Sequence, residues 1–139
     1  MVEISAELFD KIKKHGEKTY NEECCGAILG ETSNGSYKVV ELLEFNNERG
    51  ENRERRYLIS PKEYMRSEKS AVEKGLELLG FYHSHPDHPA APSQFDTEHA
   101  LPWFVYMIVS IQKGQAEKLT SWKLIEDRSS FEELEIVNS

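Results

Sequence analysis

The sequence predicts a mixed α+β or α/β sandwich in which helices pack against one sheet, in a single domain over residues 1–139. Three observations predict it. Two segments open with helix-capping serines, Ser5 and Ser60. Several short apolar, β-prone runs are bounded by glycine or turn residues. Strands and helices interleave without a regular βαβ repeat. At 139 residues the chain can bury one core and has little length for a second. No internal repeat or low-complexity stretch is visible.

The elements follow in order. Leu8, Phe9 and Ile12 recur at helical spacing behind Ser5, so Ser5 to His15 reads as an amphipathic helix ending near Gly16. The short apolar run Glu22–Gly30 and the run Ser36–Phe45 flank the turn Ser33-Asn34-Gly35, which predicts two strands joined as a hairpin. Asn46 to Arg56 is densely charged and reads as a solvated loop, and Arg56 to Ile59 as a short strand. Ser60, Pro61 and Glu63 supply a cap, a proline at the first helical position and an acid three residues after the cap, so a helix runs from there to about Gly75. Leu76–His85 resumes as a strand, Ala91–Ala100 as a loop entering a short helix, Trp103–Ile111 as a strand and Leu119–Ile125 as the last strand. The acidic tail is expected to form a terminal turn or to fray.

Composition excludes more than it identifies. Seventeen Lys and Arg stand against 25 Asp and Glu, and the net charge of −8 works against binding a phosphate backbone. The N-terminus has no basic leader followed by an apolar run, and no window approaches the roughly 20 apolar residues that span a bilayer. A soluble, cytoplasmic protein without membrane or nucleic-acid partners is expected. The only cysteines, Cys24 and Cys25, are adjacent, rarely pair with each other without strain, and read as buried small hydrophobes.

The chemistry concentrates in Gly80-Phe81-Tyr82-His83-Ser84-His85-Pro86 and Ser93-Gln94-Phe95-Asp96. In a strand, residues i and i+2 share a face about 6.5 to 7 Å apart, so two imidazoles there can converge on one ion at roughly 2 Å each. His83 and His85 have that spacing. Pro86 ends the strand, and Ser93-x-x-Asp96 reads as a helix start that gives the Asp96 carboxylate a defined direction. Two neutral histidines and a carboxylate leave a zinc ion one position for a water that the metal acidifies. Taken alone, an H-x-H is more often two strand histidines, and an S-x-x-D only a cap. The two together, within 14 residues and on either side of a strand-ending proline, are hard to explain by packing.

This pattern closely resembles the signature of JAMM metallopeptidases, also called MPN-plus domains: H-x-H-P, with seven residues between His85 and Ser93, then S-x-x-D. Glu23-Cys24-Cys25-Gly26 supplies the E-x-C-G context that the family carries upstream, and the resemblance extends from Glu23 to Trp122. It implies a central, mostly antiparallel, curved sheet flanked by helices, an architecture shared with cytidine deaminases. It implies His83, His85 and Asp96 as zinc ligands, Glu23 as general base and Ser93 as oxyanion stabiliser. Glu23 is preferred to Glu22 because only Glu23 has the family's spacing to Gly26. The compact length looks like the short bacterial type, which implies cleavage at the C-terminal Gly-Gly end of a ubiquitin-like sulfur-carrier protein, the tail pairing with a sheet edge beside the metal.

Rival readings are a non-catalytic MPN-type interaction module, a DNA-repair branch of the superfamily, and a metal-binding protein without hydrolysis. The complete residue set argues against the first, and the acidic balance against the second. Asp87 and His88 read as solvated loop residues, and His15 and His99 as helix-surface residues rather than ligands.

Overall fold

The computed structural model describes residues 1–45 and 59–139. The expected charged loop at Asn46–Arg56 and all but the last residue of the expected strand at Arg56–Ile59 lie outside the described residues. Ile59 itself is in no strand. The described elements are β1 (Val2–Ile4), α1 (Ala6–Thr19), β2 (Cys25–Ser33), β3 (Ser36–Phe45), α2 (Pro61–Glu73), β4 (Glu77–Pro86), α3 (Gln94–His99), β5 (Val105–Gln112), β6 (Gln115–Leu124), β7 (Phe131–Leu134) and β8 (Ile136–Asn138).

The eight strands form one sheet in the order β7-β6-β5-β4-β2-β3-β1-β8. The pairs β2/β3, β2/β4, β5/β6 and β6/β7 are antiparallel, whereas β1/β3, β1/β8 and β4/β5 are parallel. The fold is therefore mixed α+β with a mostly antiparallel sheet, as expected. Its hairpin forms where the sequence places it: Ser33 pairs with Ser36, and Asn34 and Gly35 take φ values of 50° and 81°. Those positive φ angles are what a two-residue hairpin needs to match strand twist, and Asn-Gly tolerates them. Ser5 accepts from the Leu8 amide at 3.2 Å and Ser60 from the Glu63 amide at 3.1 Å, so both predicted helix starts are capped as read.

Two cores sit on the two faces of the sheet. On one, Ile12 of α1 packs with Val2, Ile4, Cys24, Ile28, Tyr82, Met107, Val109 and Ile111. On the other, Phe81, Phe104, Tyr106, Cys25 and Ala27 pack beneath Tyr64 of α2. Each fully buried large aliphatic contributes about 1.5 to 3 kcal/mol.

Three expectations are corrected. The first helix does not end near Gly16 but continues to Thr19. Gly16 is buried inside it, and a Cβ there would stand 2.7 Å from Ile111 Cδ1; the glycine marks a close approach of helix to sheet rather than a stop. His15 is not on the surface: it is buried, and its Nδ1 lies 2.7 Å from the Tyr82 hydroxyl. Leu119–Ile125 is not the last strand, and the acidic tail neither turns nor frays. β7 pairs with β6, and after the single residue Glu135, β8 pairs with β1 at the other edge. Glu135 itself accepts from the Val2 amide at 2.8 Å. One short segment thus ties the two edges together, which requires the sheet to curve.

Candidate active site

The site is built on one face of β4. Burial alternates poorly along Glu77–Pro86 because both faces are covered, yet the period of two still sorts the side chains. Tyr82 and Ser84 point to the α1 side, where Ser84 Oγ accepts from the Cys24 amide at 2.8 Å. Phe81 packs on the opposite side, and His83 and His85 follow it there.

Glu23 reaches the same place through register. Cys25 is opposite His83 in the β2/β4 pair, and the Ser84 amide donates to the Cys24 carbonyl at 3.1 Å, so the continued register sets Glu23 across from His85. Glu23 is 3% exposed, whereas its neighbour Glu22 is only half-buried. Gly26, the glycine of the same motif, is opposite Tyr82, and a Cβ on it would fall 2.3 Å from the tyrosine ring and 2.4 Å from the Leu43 carbonyl. That glycine is needed for strand packing.

α3 delivers the third group. Its N-terminus is closed by a capping box in which the Asp96 amide donates to Ser93 Oγ at 3.1 Å and the Ser93 amide donates to Asp96 Oδ2 at 2.8 Å. The carboxylate is thereby turned towards β4. His83 Nε2 lies 3.1 Å from Asp96 Oδ1, His85 Nε2 lies 3.2 Å from Asp96 Oδ2, and the two Nε2 atoms are 3.1 Å apart. All three residues are buried.

The electrostatics fit a cation. Burial alone would raise the Asp96 carboxyl, but the His83 and His85 rings and the Ser93 amide hold it well below the usual carboxylate range. Burial lowers His83 towards the neutral form, against the pull of Asp96. His85 Nδ1 is 2.9 Å from the Pro89 carbonyl, which can only accept, so Nδ1 carries the hydrogen. With Nδ1 occupied by that carbonyl, Nε2 is the His85 nitrogen that faces Asp96 and the one left to bind a metal. His83, His85 and Asp96 could therefore hold a metal, and among the described residues they are the one group of three such side chains close enough to do so. Beside them opens a cleft of about 340 Å³ lined by Glu23, His85, His88, Pro89, Ala91, Pro92 and Ser93.

Residues 5–125 match the family of prokaryotic homologs of the JAB domain. The chain belongs to that family. The JAMM/MPN-type resemblance carried by the motif is thus borne out. The JAB domain is 30% identical to a desampylase of Haloferax volcanii over 112 residues, 77% of this chain and 78% of the relative. It is 25% identical to a desampylase of Pyrococcus furiosus over 115 residues, 83% and 75% of the two chains. Among solved structures, a Salinibacter ruber protein is 42% identical with a TM-score of 0.78, covering 100% of this chain and 92% of that one. A JAB1/MPN domain protein of Archaeoglobus fulgidus shares the fold, with a TM-score of 0.61 at 16% identity over 99% of this chain and 98% of that one.

The JAB domain brings all five expected site residues to one region. His88 is exposed at the cleft rim, and His99 is exposed and stacked on Phe95 with ring centroids 4.1 Å apart. Asp87 is exposed but tied, accepting from Tyr20 Oη at 2.6 Å and from the Lys113 amide at 2.8 Å. The strand carrying the histidines is internal, flanked by β2 and β5, so the expected pairing of a tail with a sheet edge cannot use β4. Sequence reasoning missed the side chains of β5 and β6 that grip the loop after Pro86. The available signal was polar Ser110 inside the strongly apolar run 105–111, since a buried hydroxyl needs a partner; Thr120, in the mostly polar run Gln115–Leu124, offered no such signal.

Proposed function

We propose that this JAB domain is a zinc-dependent peptidase or isopeptidase that hydrolyses an amide bond at the C-terminal Gly-Gly end of a ubiquitin-like sulfur-carrier protein. The proposal takes residues 1–139 as one catalytic domain working in the cytoplasm. Among the described residues, no helix is long and apolar enough to cross a membrane. The observation that carries the reading is the convergence of His83, His85 and Asp96 at 3.1 to 3.2 Å beside a cleft shared by Glu23 and Ser93. The desampylase relatives support a ubiquitin-like substrate.

In this reading His83, His85 and Asp96 hold the metal, the two histidines through Nε2. A zinc ion held by these three residues would supply Lewis-acid chemistry, polarising the scissile carbonyl and acidifying water. Glu23 takes the proton of the attacking water and passes it to the leaving amine. The Ser93 hydroxyl donates to the oxyanion, a role compatible with capping, because the cap uses only an oxygen lone pair.

The test is mass spectrometry of a sulfur-carrier-like protein bearing residues beyond its Gly-Gly end, incubated with the zinc-loaded enzyme or with Glu23→Gln. Loss of the extension with wild type alone, while the variant keeps its zinc, supports the reading. An unchanged mass with zinc bound would favour another tail substrate or a non-catalytic module. Cleavage by Glu23→Gln at the wild-type rate would remove the general-base role.

A further inference from the structure

The segment between the two halves of the metal site, Asp87 to Pro92, has no regular structure of its own. It is nevertheless gripped at successive residues. The Ser110 hydroxyl donates to the His88 carbonyl at 2.7 Å, and the Thr120 hydroxyl donates to the Ala90 carbonyl at 2.7 Å. The carbonyl between those two, of Pro89, is the one that accepts from His85 Nδ1.

Each hydroxyl has a nitrogen donor behind it. Trp122 Nε1 stands 2.7 Å from Thr120 Oγ1, and an indole N–H can only donate. Thr120 therefore accepts from Trp122 and sends its own hydrogen onward, to Ala90 at 2.7 Å rather than to the Ile108 carbonyl at 3.4 Å. Likewise the Gln112 amide donates to Ser110 Oγ at 2.8 Å and to the His88 carbonyl at 3.1 Å, which directs the Ser110 hydrogen to His88. Ser110 and Thr120 are each 4% exposed, so neither bond competes freely with water. Both side chains stand on the metal face: Ser110 is opposite His85, and Thr120 lies in one row with Ile108 and His83.

We propose that the Trp122–Thr120 and Gln112–Ser110 pairs are positioning residues for the metal site, fixing the Pro89 carbonyl so that His85 is locked as the tautomer that offers Nε2. The inference rests on the metal-site part of the proposed function and is independent of the substrate. Partners one step behind a ligand set ring orientation and tautomer, and losing them weakens metal binding.

The experiment compares Thr120→Val, Thr120→Ser, Trp122→Phe and Ser110→Ala with wild type by three readouts. These are zinc affinity by chelator competition, the visible spectrum of the cobalt(II) form, and the His85 ring tautomer by 15N NMR of the metal-free protein. Thr120→Val is expected to lose about tenfold in zinc affinity, to alter the cobalt spectrum and to show mixed His85 tautomers. Thr120→Ser, which keeps the hydroxyl, restores all three, and Trp122→Phe and Ser110→Ala each shift them in the same direction as Thr120→Val. Wild-type affinity, spectrum and tautomer in Thr120→Val would overturn the inference, as would a Thr120→Ser protein as impaired as the valine variant. If Thr120→Val does not fold, Trp122→Phe and Ser110→Ala decide by the same readouts. Wild-type protein that takes up no divalent metal would sink the metal-site reading, while the tautomer in the metal-free variants still decides this one. Absence of tail cleavage by zinc-loaded protein bears only on the proposed reaction.

Discussion

Ser93 and Asp96 hold each other in place, the amide of each donating to the side chain of the other at 2.8 and 3.1 Å. One serine therefore both starts α3 and aims a candidate metal ligand. Ser93→Ala is expected to lose about 1 kcal/mol of stability with the cap. It should also lose about 10²-fold or more in turnover with the oxyanion donor. Ser93→Asn, which can still cap, should recover the stability without the turnover. Thermal unfolding and single-substrate kinetics on both variants separate the roles, and full turnover by Ser93→Ala would leave Ser93 a cap alone.

Two glycines that look alike in sequence should behave differently. An alanine at Gly26 meets the Tyr82 ring and the Leu43 backbone, neither of which can yield, so Gly26→Ala should cost about 1 to 3 kcal/mol. At Gly16 the obstacle is the end of the Ile111 side chain, which can turn, and alanine gains about 0.5 to 1 kcal/mol in a helix. Gly16→Ala should stay within about 1 kcal/mol of wild type. Urea unfolding of the pair would show the ordering, and equal losses would mean that the Ile111 side chain cannot move.

Burial lowers the pKa of His15, with Glu44 opposing and Lys18 reinforcing the shift, and its ring faces the Tyr82 hydroxyl. A base whose folded pKa is depressed resists a proton that the unfolded chain accepts at its ordinary value near 6.5. Its contribution to stability is present above that value and is lost as pH falls through it. His15→Gln should flatten the fall in stability of the metal-free protein between about pH 7 and 5. A residual slope from His83, which burial also lowers, should remain. An unchanged slope measured by denaturant titration at each pH would show that His15 charges in the folded state.

Burial pushes the Cys24 thiol up to about 12, opposed by its hydrogen bond with Ser84, and both cysteines are no more than 1% exposed. Neither should react with iodoacetamide in the native protein at mildly alkaline pH: both are shielded by burial, and Cys24 in addition stays a thiol, whereas the thiolate is the nucleophile. Both should react in denaturant. Mass spectrometry of intact protein would count the adducts, and rapid native labelling would place a thiol at the surface.

The parts of the fold that were legible in sequence are those whose chemistry is complete within a few residues. Asn34-Gly35 can adopt positive φ, so the hairpin followed from its turn. Ser60 and Pro61 started α2, and Ser93 with Asp96 started α3. The spacing of His83 and His85 put both on one strand face, and that survives any choice of partner strand.

What failed depended on contacts distant in the chain. His15 lies among polar residues of an amphipathic helix and reads as exposed; only the placement of Tyr82, 67 residues away, buries it. Gly16 reads as a helix stop until Ile111 is seen packed against it.

The sequence by itself determined the caps, the hairpin, the paired histidines and the residue set that marks a JAMM-type site, because each is set by local dihedral preference or side-chain chemistry. Tertiary structure alone decided that Phe131–Asn138 closes both sheet edges, that Glu23 lies across from His85, and that Ser110 and Thr120 grip the loop between His85 and Asp96. The physical reason is that β pairing and buried hydrogen bonds are satisfied across the chain: a strand's composition says that it needs a neighbour, and only the folded register says which one.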